Sequence, residues 1–409
     1  MPISRKQNFV IVTVLVVLFI LGAYLFFQNN KNILFKIILG VSSSATKTVT
    51  QESSNTAPIQ IVKQESLPKP LANPPAIIRG VYVTSWSASS KKYLEYLDQL
   101  FKTTQINTVV IDLKDSSGTI FYNSAAPMVQ EYKTSQNIYD IDDLVRHFHG
   151  KGIYVIARIN VFNDSALAKA RPDLAAYKEA ASEGQPNHIL WQDNLGFYCL
   201  DPASKEVQDY NIQLAKDVLS HGVDEVNFDY IRFPSDGNIN DIAYPVWDGV
   251  TLKRDIIKSF FKNIRESLSD STISADLFGQ TTTSTDDMGV GQVIESAFLY
   301  FDYVCPMVYP SHYVDGFLGY DNPARHPYEV IKYSLDSAVL RREALAKADS
   351  SQKIGQLRPW LQDFNLKANY GAGMVDQEIQ ATQDSLGESF NGFLLWNAGN
   401  YYTQDAVLK

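Results

Sequence analysis

GVDEVNFDYIRFPSDG, residues 222–237, is the stretch on which the reading of this chain turns. A short apolar run ends in Asp229-Tyr230 and passes into Arg232, Phe233, Pro234 and Ser235. Successive side chains of an extended segment point to opposite faces, so Val226 and Phe228 share one face and Glu225, Asn227 and Asp229 the other. Three polar side chains in a row on one strand face are costly to bury unless something pairs them. A (β/α)8 barrel carries its chemistry on inward polar groups near the C-terminal ends of its strands. An edge strand with one wet face also fits the pattern, and the neighbouring segments decide between the two.

Those segments alternate between apolar runs and amphipathic stretches. Strands are predicted at 79–85, 107–113, 152–160, the opening stretch, 272–278, 301–309, 353–361 and 392–396. Helices are predicted between them at 91–103, 140–151, 203–221, 251–268, around 291–297, 327–347 and 375–386. Eight β-then-α units over about 330 residues match one parallel barrel with insertions. A doubly wound sheet normally carries a glycine-rich nucleotide turn after its first strand, and here that strand runs into Thr84-Ser85-Trp86-Ser87.

Nearly every predicted strand leaves the core through a polar or aromatic cluster. The second ends in Asp112, Lys114 and Asp115, the third in Arg158 and Asn160, and the fourth in Asp229 and Tyr230. The fifth ends in Asp276, the sixth in Tyr309 and His312, the seventh in Trp360, Gln362 and Asp363, and the eighth in Trp396 and Asn397. In a barrel these exits converge on one mouth.

Residues 9–27 carry no charge and follow Arg5 and Lys6, long enough to cross a bilayer as a helix. They are expected to form an uncleaved single-pass anchor after a short cytoplasmic N-terminus (1–8). Ser42–Ala45 offers small residues for cleavage as the alternative. Residues 28–75 form a membrane-proximal segment and a tether rich in Ser, Thr, Gln, Asn and Pro, which buries too little apolar surface to offset its ordering entropy. The catalytic-domain candidate is 76–409, expected outside the cytoplasm at the cell membrane. Of 36 basic and 45 acidic residues, seven and two lie in the first 75, leaving 29 and 43 and a net charge of −14 for the rest. That balance argues against nucleic acid as a partner. Two cysteines, Cys199 and Cys305, allow at most one disulfide. No metal-binding or phosphate-loop motif is present, so neither metal nor cofactor is expected.

Carboxylates and aromatic rings at one mouth point to glycoside hydrolysis, which needs one carboxylate as nucleophile or base and one carboxylic acid to protonate the departing oxygen. Asp229 and Asp276, on neighbouring strand exits, form the first candidate pair, with Asp112 and Asp363 as reserves. A lone Asp at a strand end also serves as a helix cap or loop hydrogen bonder. Arg232 is the candidate counter-ion of a carboxylate. Arg158 and Asn160 are candidates for binding sugar hydroxyls or orienting Asp229. Trp360, Trp396, Tyr230 and Tyr309 are candidate stacking platforms, each with core packing as its plainer role. His312 is a candidate donor to a sugar oxygen.

With these residues in view, the runs RGVYVTSW (79–86), VVIDLKDSSG (109–118), GVDEVNFDYIRFPSDG (222–237), CPMVYPSHY (305–313), RPWLQDF (358–364) and GFLLWNA (392–398) resemble the bacterial family called "putative glycosyl hydrolase domain". That family is related to the α-amylase-like barrels. The resemblance spans nearly all of 77–402. It implies a (β/α)8 barrel in which Asp229, on the fourth strand, is the nucleophile. Amylase-like barrels carry a Glu acid on the fifth strand, where this chain has Asp276, and an Arg where it has Asn227. The expected function is a membrane-anchored glycoside hydrolase acting on a cell-surface or extracellular polysaccharide. The alternative is a non-catalytic carbohydrate-binding or envelope scaffold on the same fold.

Overall fold

The computed structural model describes residues 66–183 and 188–409. The predicted anchor at 9–27 lies outside them, and among the described residues no helix is long and apolar enough to cross a membrane.

Eight parallel strands close into a barrel. They are β1 (Ile78–Val83), β2 (Thr108–Lys114), β3 (Tyr154–Asn160), β4 (Glu225–Asp229), β5 (Ile273–Phe278), β6 (Tyr303–Met307), β7 (in two pieces, Gln356–Leu357 and Trp360–Gln362) and β8 (Gly392–Trp396). Each pairs with the next in sequence, and β8 returns to β1. The predicted seventh strand breaks at Arg358-Pro359. Proline has no N–H for the ladder, so the first piece pairs only with β6, and the second pairs with β8 and meets β6 at Trp360↔Met307.

The strands are held from outside by α1 (Lys91–Thr103), α2 (Ile141–His149), α3 (Lys205–Ser220), α4 (Lys253–Ser267), α5 (Ile294–Tyr300), α6 (Pro327–Ala348) and α7 (Ala372–Leu386). Their apolar stripes drive the docking: Tyr93, Leu97, Leu100 and Phe101 of α1 recur at helical spacing and are all buried. Asp140 and Ser204 cap α2 and α3 by accepting from the backbone N–H groups of Asp143 and Val207.

The alternation on β4 resolves as expected. Val226 and Phe228 join the large core between sheet and helices. Glu225, Asn227 and Asp229 point into the barrel and are buried. Parallel register then sets neighbours: Arg158 of β3 lies level with Asp112 of β2 and Asn227 of β4. Cys199 and Cys305 are both free and buried.

Candidate active site

Arg158 organises the upper end of the barrel. Its Nη1 donates to Asp112 Oδ1, its Nη2 to Asp229 Oδ2, and its Nε lies 3.7 Å from Asp276 Oδ2. Three carboxylates therefore share one buried guanidinium, whose planar fork can engage two of them at once. The excess of negative charge falls on Asp276. Burial, then the nearby Asp229 carboxylate, push its pKa up to about 8, against Arg158, Asn227 and Trp360. At neutral pH Asp276 is thus mainly a protonated acid.

The environments of the two leading carboxyls differ. Asp229 is 4% exposed and lines a cavity of about 500 Å³ on the C-terminal face of the barrel. Tyr230, Phe278, Tyr309, Phe317 and Trp396 supply its aromatic wall, with Arg158, Arg232, Gln280 and His312 as polar lining. Asp276, 1% exposed, lies under that wall. Its Oδ1 accepts from Asn227 Nδ2 and Trp360 Nε1, both at 2.8 Å. Asp112 is buried too, and Tyr82 Oη donates to its Oδ2 at 2.5 Å.

Directly after Asp229 the backbone takes a left-handed turn at Tyr230, φ +51°, and the Tyr230 N–H donates to Asp229 Oδ1 at 2.5 Å. A non-glycine residue in this region costs roughly 1–2 kcal/mol, and such cost gathers at functional sites. The strained turn sets Tyr230 on the cavity wall. On the facing exit Gly279 leaves room that a side chain would take: a Cβ there would sit 2.4 Å from the Met307 carbonyl oxygen.

The other candidate residues separate by location. Trp396 lines the cavity and stacks on Tyr82 with ring centroids 3.9 Å apart. Tyr309 lines it with its ring held edge-on by His312 and Phe364, and burial raises the pKa of its hydroxyl. Burial and then Lys367 lower the pKa of His312, so its ring is neutral, and its Nδ1 lies 3.0 Å from Ser311 Oγ. Arg232 is not the counter-ion of Asp229, since Arg158 holds that place. Its guanidinium sits over the Tyr230 and Phe278 rings, 5.0 and 4.4 Å from their centroids.

Five expected site residues sit away from the cavity wall: Asp276, Asp112, Trp360, Asp363 and Asn160. Trp360 is fully buried and presents no face to a ligand; its indole N–H serves Asp276 instead. Asp363 is tied to the chain past β8, accepting from Thr403 N–H at 2.8 Å and Thr403 Oγ1 at 2.5 Å. Asn160 donates to Ser116 Oγ at 2.7 Å. Conversely, Tyr82, Phe278, Gln280 and Phe317 belong to the site without having been singled out. Tyr82 alone left a trace in sequence, as a polar-tipped ring on the inward face of β1.

Residues 80–402 match the family described as "Putative glycosyl hydrolase domain". In structure the chain is similar to the glycoside hydrolase domain of PgaB (BpsB) from Bordetella bronchiseptica, with TM-score 0.52 and 12% identity over 79% of this chain and 95% of that one. It is similar in the same way to the endo-1,4-beta-mannanase of Rhizomucor miehei, with TM-score 0.50 and 12% identity over 84% and 93%. A hypothetical protein from Ruminiclostridium thermocellum is 31% identical over 51% of this chain and 98% of its own length, with TM-score 0.43. No curated protein matches the chain in sequence. The likenesses to the PgaB domain and the mannanase show the barrel fold, and the match over 80–402 establishes membership: this chain belongs to the glycosyl hydrolase family of that description.

Proposed function

We propose that this protein cleaves glycosidic bonds of a cell-surface or extracellular polysaccharide by a two-carboxylate mechanism. One observation carries the reading: Asp229, paired with Arg158, faces an aromatic-walled cavity of about 500 Å³. The Asp229 carboxylate attacks the anomeric carbon while Asp276, which holds a proton at neutral pH, gives it to the departing oxygen. Water, giving a proton back to Asp276, then releases the sugar from Asp229 and restores both groups. Trp396 and Tyr230 offer ring faces for the sugar, and Arg232 and His312 offer donors to its hydroxyls.

The uncharged run at 9–27 and the polar segment after it support a membrane-tethered enzyme with its barrel outside the cytoplasm. Extraction of the full chain from membranes by detergent but not by alkaline carbonate is the expected result; release by carbonate would remove the anchor.

A second reading, glycan binding without turnover, is favoured by Asp276 lying beneath the cavity wall rather than on it. Incubating the full chain with a panel of polysaccharides, beside its Asp229→Asn variant, separates the two. Product from the wild type and none from the variant supports hydrolysis. Equal product from both removes Asp229 from the mechanism, and binding by both without product leaves the second reading.

A further inference from the structure

The five tryptophans of the chain are not treated alike. Trp191 and Trp360 are buried, and Trp247 and Trp396 are half-buried. Trp86 is 61% exposed. An indole is among the costlier side chains to leave in water, since it forgoes the burial of a large apolar area.

Trp86 sits on the short helical turn Ser85–Ala88, immediately beyond the C-terminal end of β1, so it stands on the rim of the mouth that holds the cavity. The turn is rigidly tied. Thr84 N–H and Thr84 Oγ1 both donate to Asn400 Oδ1, at 3.0 and 2.9 Å, linking the β1 exit to the β8 exit. Thr84 Oγ1 also caps the turn by accepting from Ser87 N–H at 3.2 Å, and Ser85 Oγ donates to the Asp112 carbonyl. Phe121 meets the indole edge to face, with centroids 5.8 Å apart and planes at 76°.

Trp396, the cavity's own tryptophan, is on the neighbouring strand and stacked on Tyr82. Adjacent strands lie ~4.8 Å apart, and Trp86 is four residues beyond Tyr82, so no more than roughly 14 Å along the chain. Yet Trp86 is absent from the cavity lining. A sugar ring confined to that cavity therefore leaves Trp86 uncovered.

We infer that Trp86 is a remote sugar-stacking subsite, and that the ligand is therefore a chain of several rings gripped along its length rather than a single terminal sugar. The inference rests on the glycosidase reading of the cavity and adds a second point at which the chain is held, outside that cavity. Held on a fixed perch, the indole offers a flat apolar face to the C–H side of a sugar ring with little rotamer freedom left to lose.

The test uses the full chain in detergent carrying Asp229→Asn, so that bound chains stay intact, with cello-, manno- and chito-oligosaccharides of three and six rings as probes. In the series that binds, the six-ring probe is expected to bind at least tenfold more tightly than the three-ring probe. Adding Trp86→Ala should remove that difference and leave three-ring affinity and melting temperature unchanged. The part of the iodide quenching of tryptophan fluorescence that Trp86→Ala removes should be relieved by the six-ring probe only. Equal loss for both lengths, or no loss for either, overturns the subsite while leaving the cavity reading intact. Protection of Trp86 by phospholipid vesicles instead of sugars makes it a membrane contact and also overturns it. Failure of every probe to bind, together with no product from any polysaccharide of the panel above, removes the glycosidase reading itself, and the subsite falls with it.

Discussion

Arg158 and Arg358 are both buried guanidiniums inside one barrel, a few residues apart in height, and they serve opposite ends. Arg358 lies toward the N-terminal floor, fully buried, where its Nη2 donates to Glu225 Oε1 and its plane covers the Tyr303 ring with 4.0 Å to the centroid. Glu225 is completed by Ser274 Oγ at 2.5 Å and Tyr154 Oη at 3.3 Å. One cation meets one anion, and neither residue lines the cavity that Asp229 faces. Arg158 faces three carboxylates at the C-terminal end, one of which lines an open cavity. A balanced pair holds the floor together. A single cation shared by three carboxyls at the mouth leaves Asp276 protonated near Asp229, with the pKa of Asp112 raised by burial as well. An acid beside a second carboxyl is what glycosidic cleavage asks for.

The sharpest way to break this contrast is Asp229→Asn, which should cut turnover by about 10³-fold or more while the protein stays folded, measured as initial rates and circular dichroism. Comparable activity would dissolve the distinction between mouth and floor. Exchanging the two arginines' roles comes next. Arg358→Met strands Glu225 and should cost about 3–5 kcal/mol of stability in urea denaturation, with turnover by the folded fraction retained. Arg158→Lys keeps the charge but loses the fork, and should lower turnover by about 10²-fold through misplaced carboxylates. If Arg358→Met were instead the catalytic defect, the assignment of floor and mouth would be reversed.

Titration sharpens the comparison further. Asp276 ionises near 8 in the folded protein against 3.8 ordinarily, so between those values the folded chain holds a proton that the unfolded chain has released. Its contribution to stability therefore declines as pH rises from about 4 to about 8, and Asp276→Asn should flatten that decline in melting temperature. Since the proton-bearing form is the acid catalyst, turnover should fall above about pH 8; an alkaline limb near pH 4–5 would deny Asp276 the role. Trp360→Phe removes a donor that favours the ionised form, so it should move that limb upward and cost about 1 kcal/mol or somewhat more in stability. The smallest effect belongs to Asp363→Asn, which should weaken the tie to Thr403 by about 1 kcal/mol and leave the pH profile and rate unchanged.

Much of the fold was legible because strand alternation and helical stripes are local. The run of Val226 and Phe228 against Glu225, Asn227 and Asp229 showed a strand with one apolar and one polar face, and the seven neighbouring units then favoured a barrel over a wet edge. The break in β7 was missed although Pro359 stood in the sequence, because Ile354, Leu357, Trp360 and Leu361 on either side of it still mark the segment as a strand. Within the site, Arg158 holds Asp229, one of the two roles expected of it, while Arg232 is not the counter-ion, and the reason is geometric. Arg232 is near Asp229 in sequence, but the left-handed turn at Tyr230 carries it away, whereas Arg158, 71 residues earlier, is brought alongside by the pairing of β3 with β4. Trp360 and Asp363 share a strand exit that looked like a mouth. One turns its indole N–H to Asp276 inside the barrel, and the other reaches a segment 40 residues later.

By itself the sequence determined the barrel class, the order of its units and which side chains face inward, since those follow from periodicities of two and 3.6 residues within single segments. Which acid meets which base, how deep each lies and which carboxyl keeps its proton were decided only when the strands closed. Those properties depend on register between segments and on how much water the closed barrel leaves, and neither is written in any one stretch of chain.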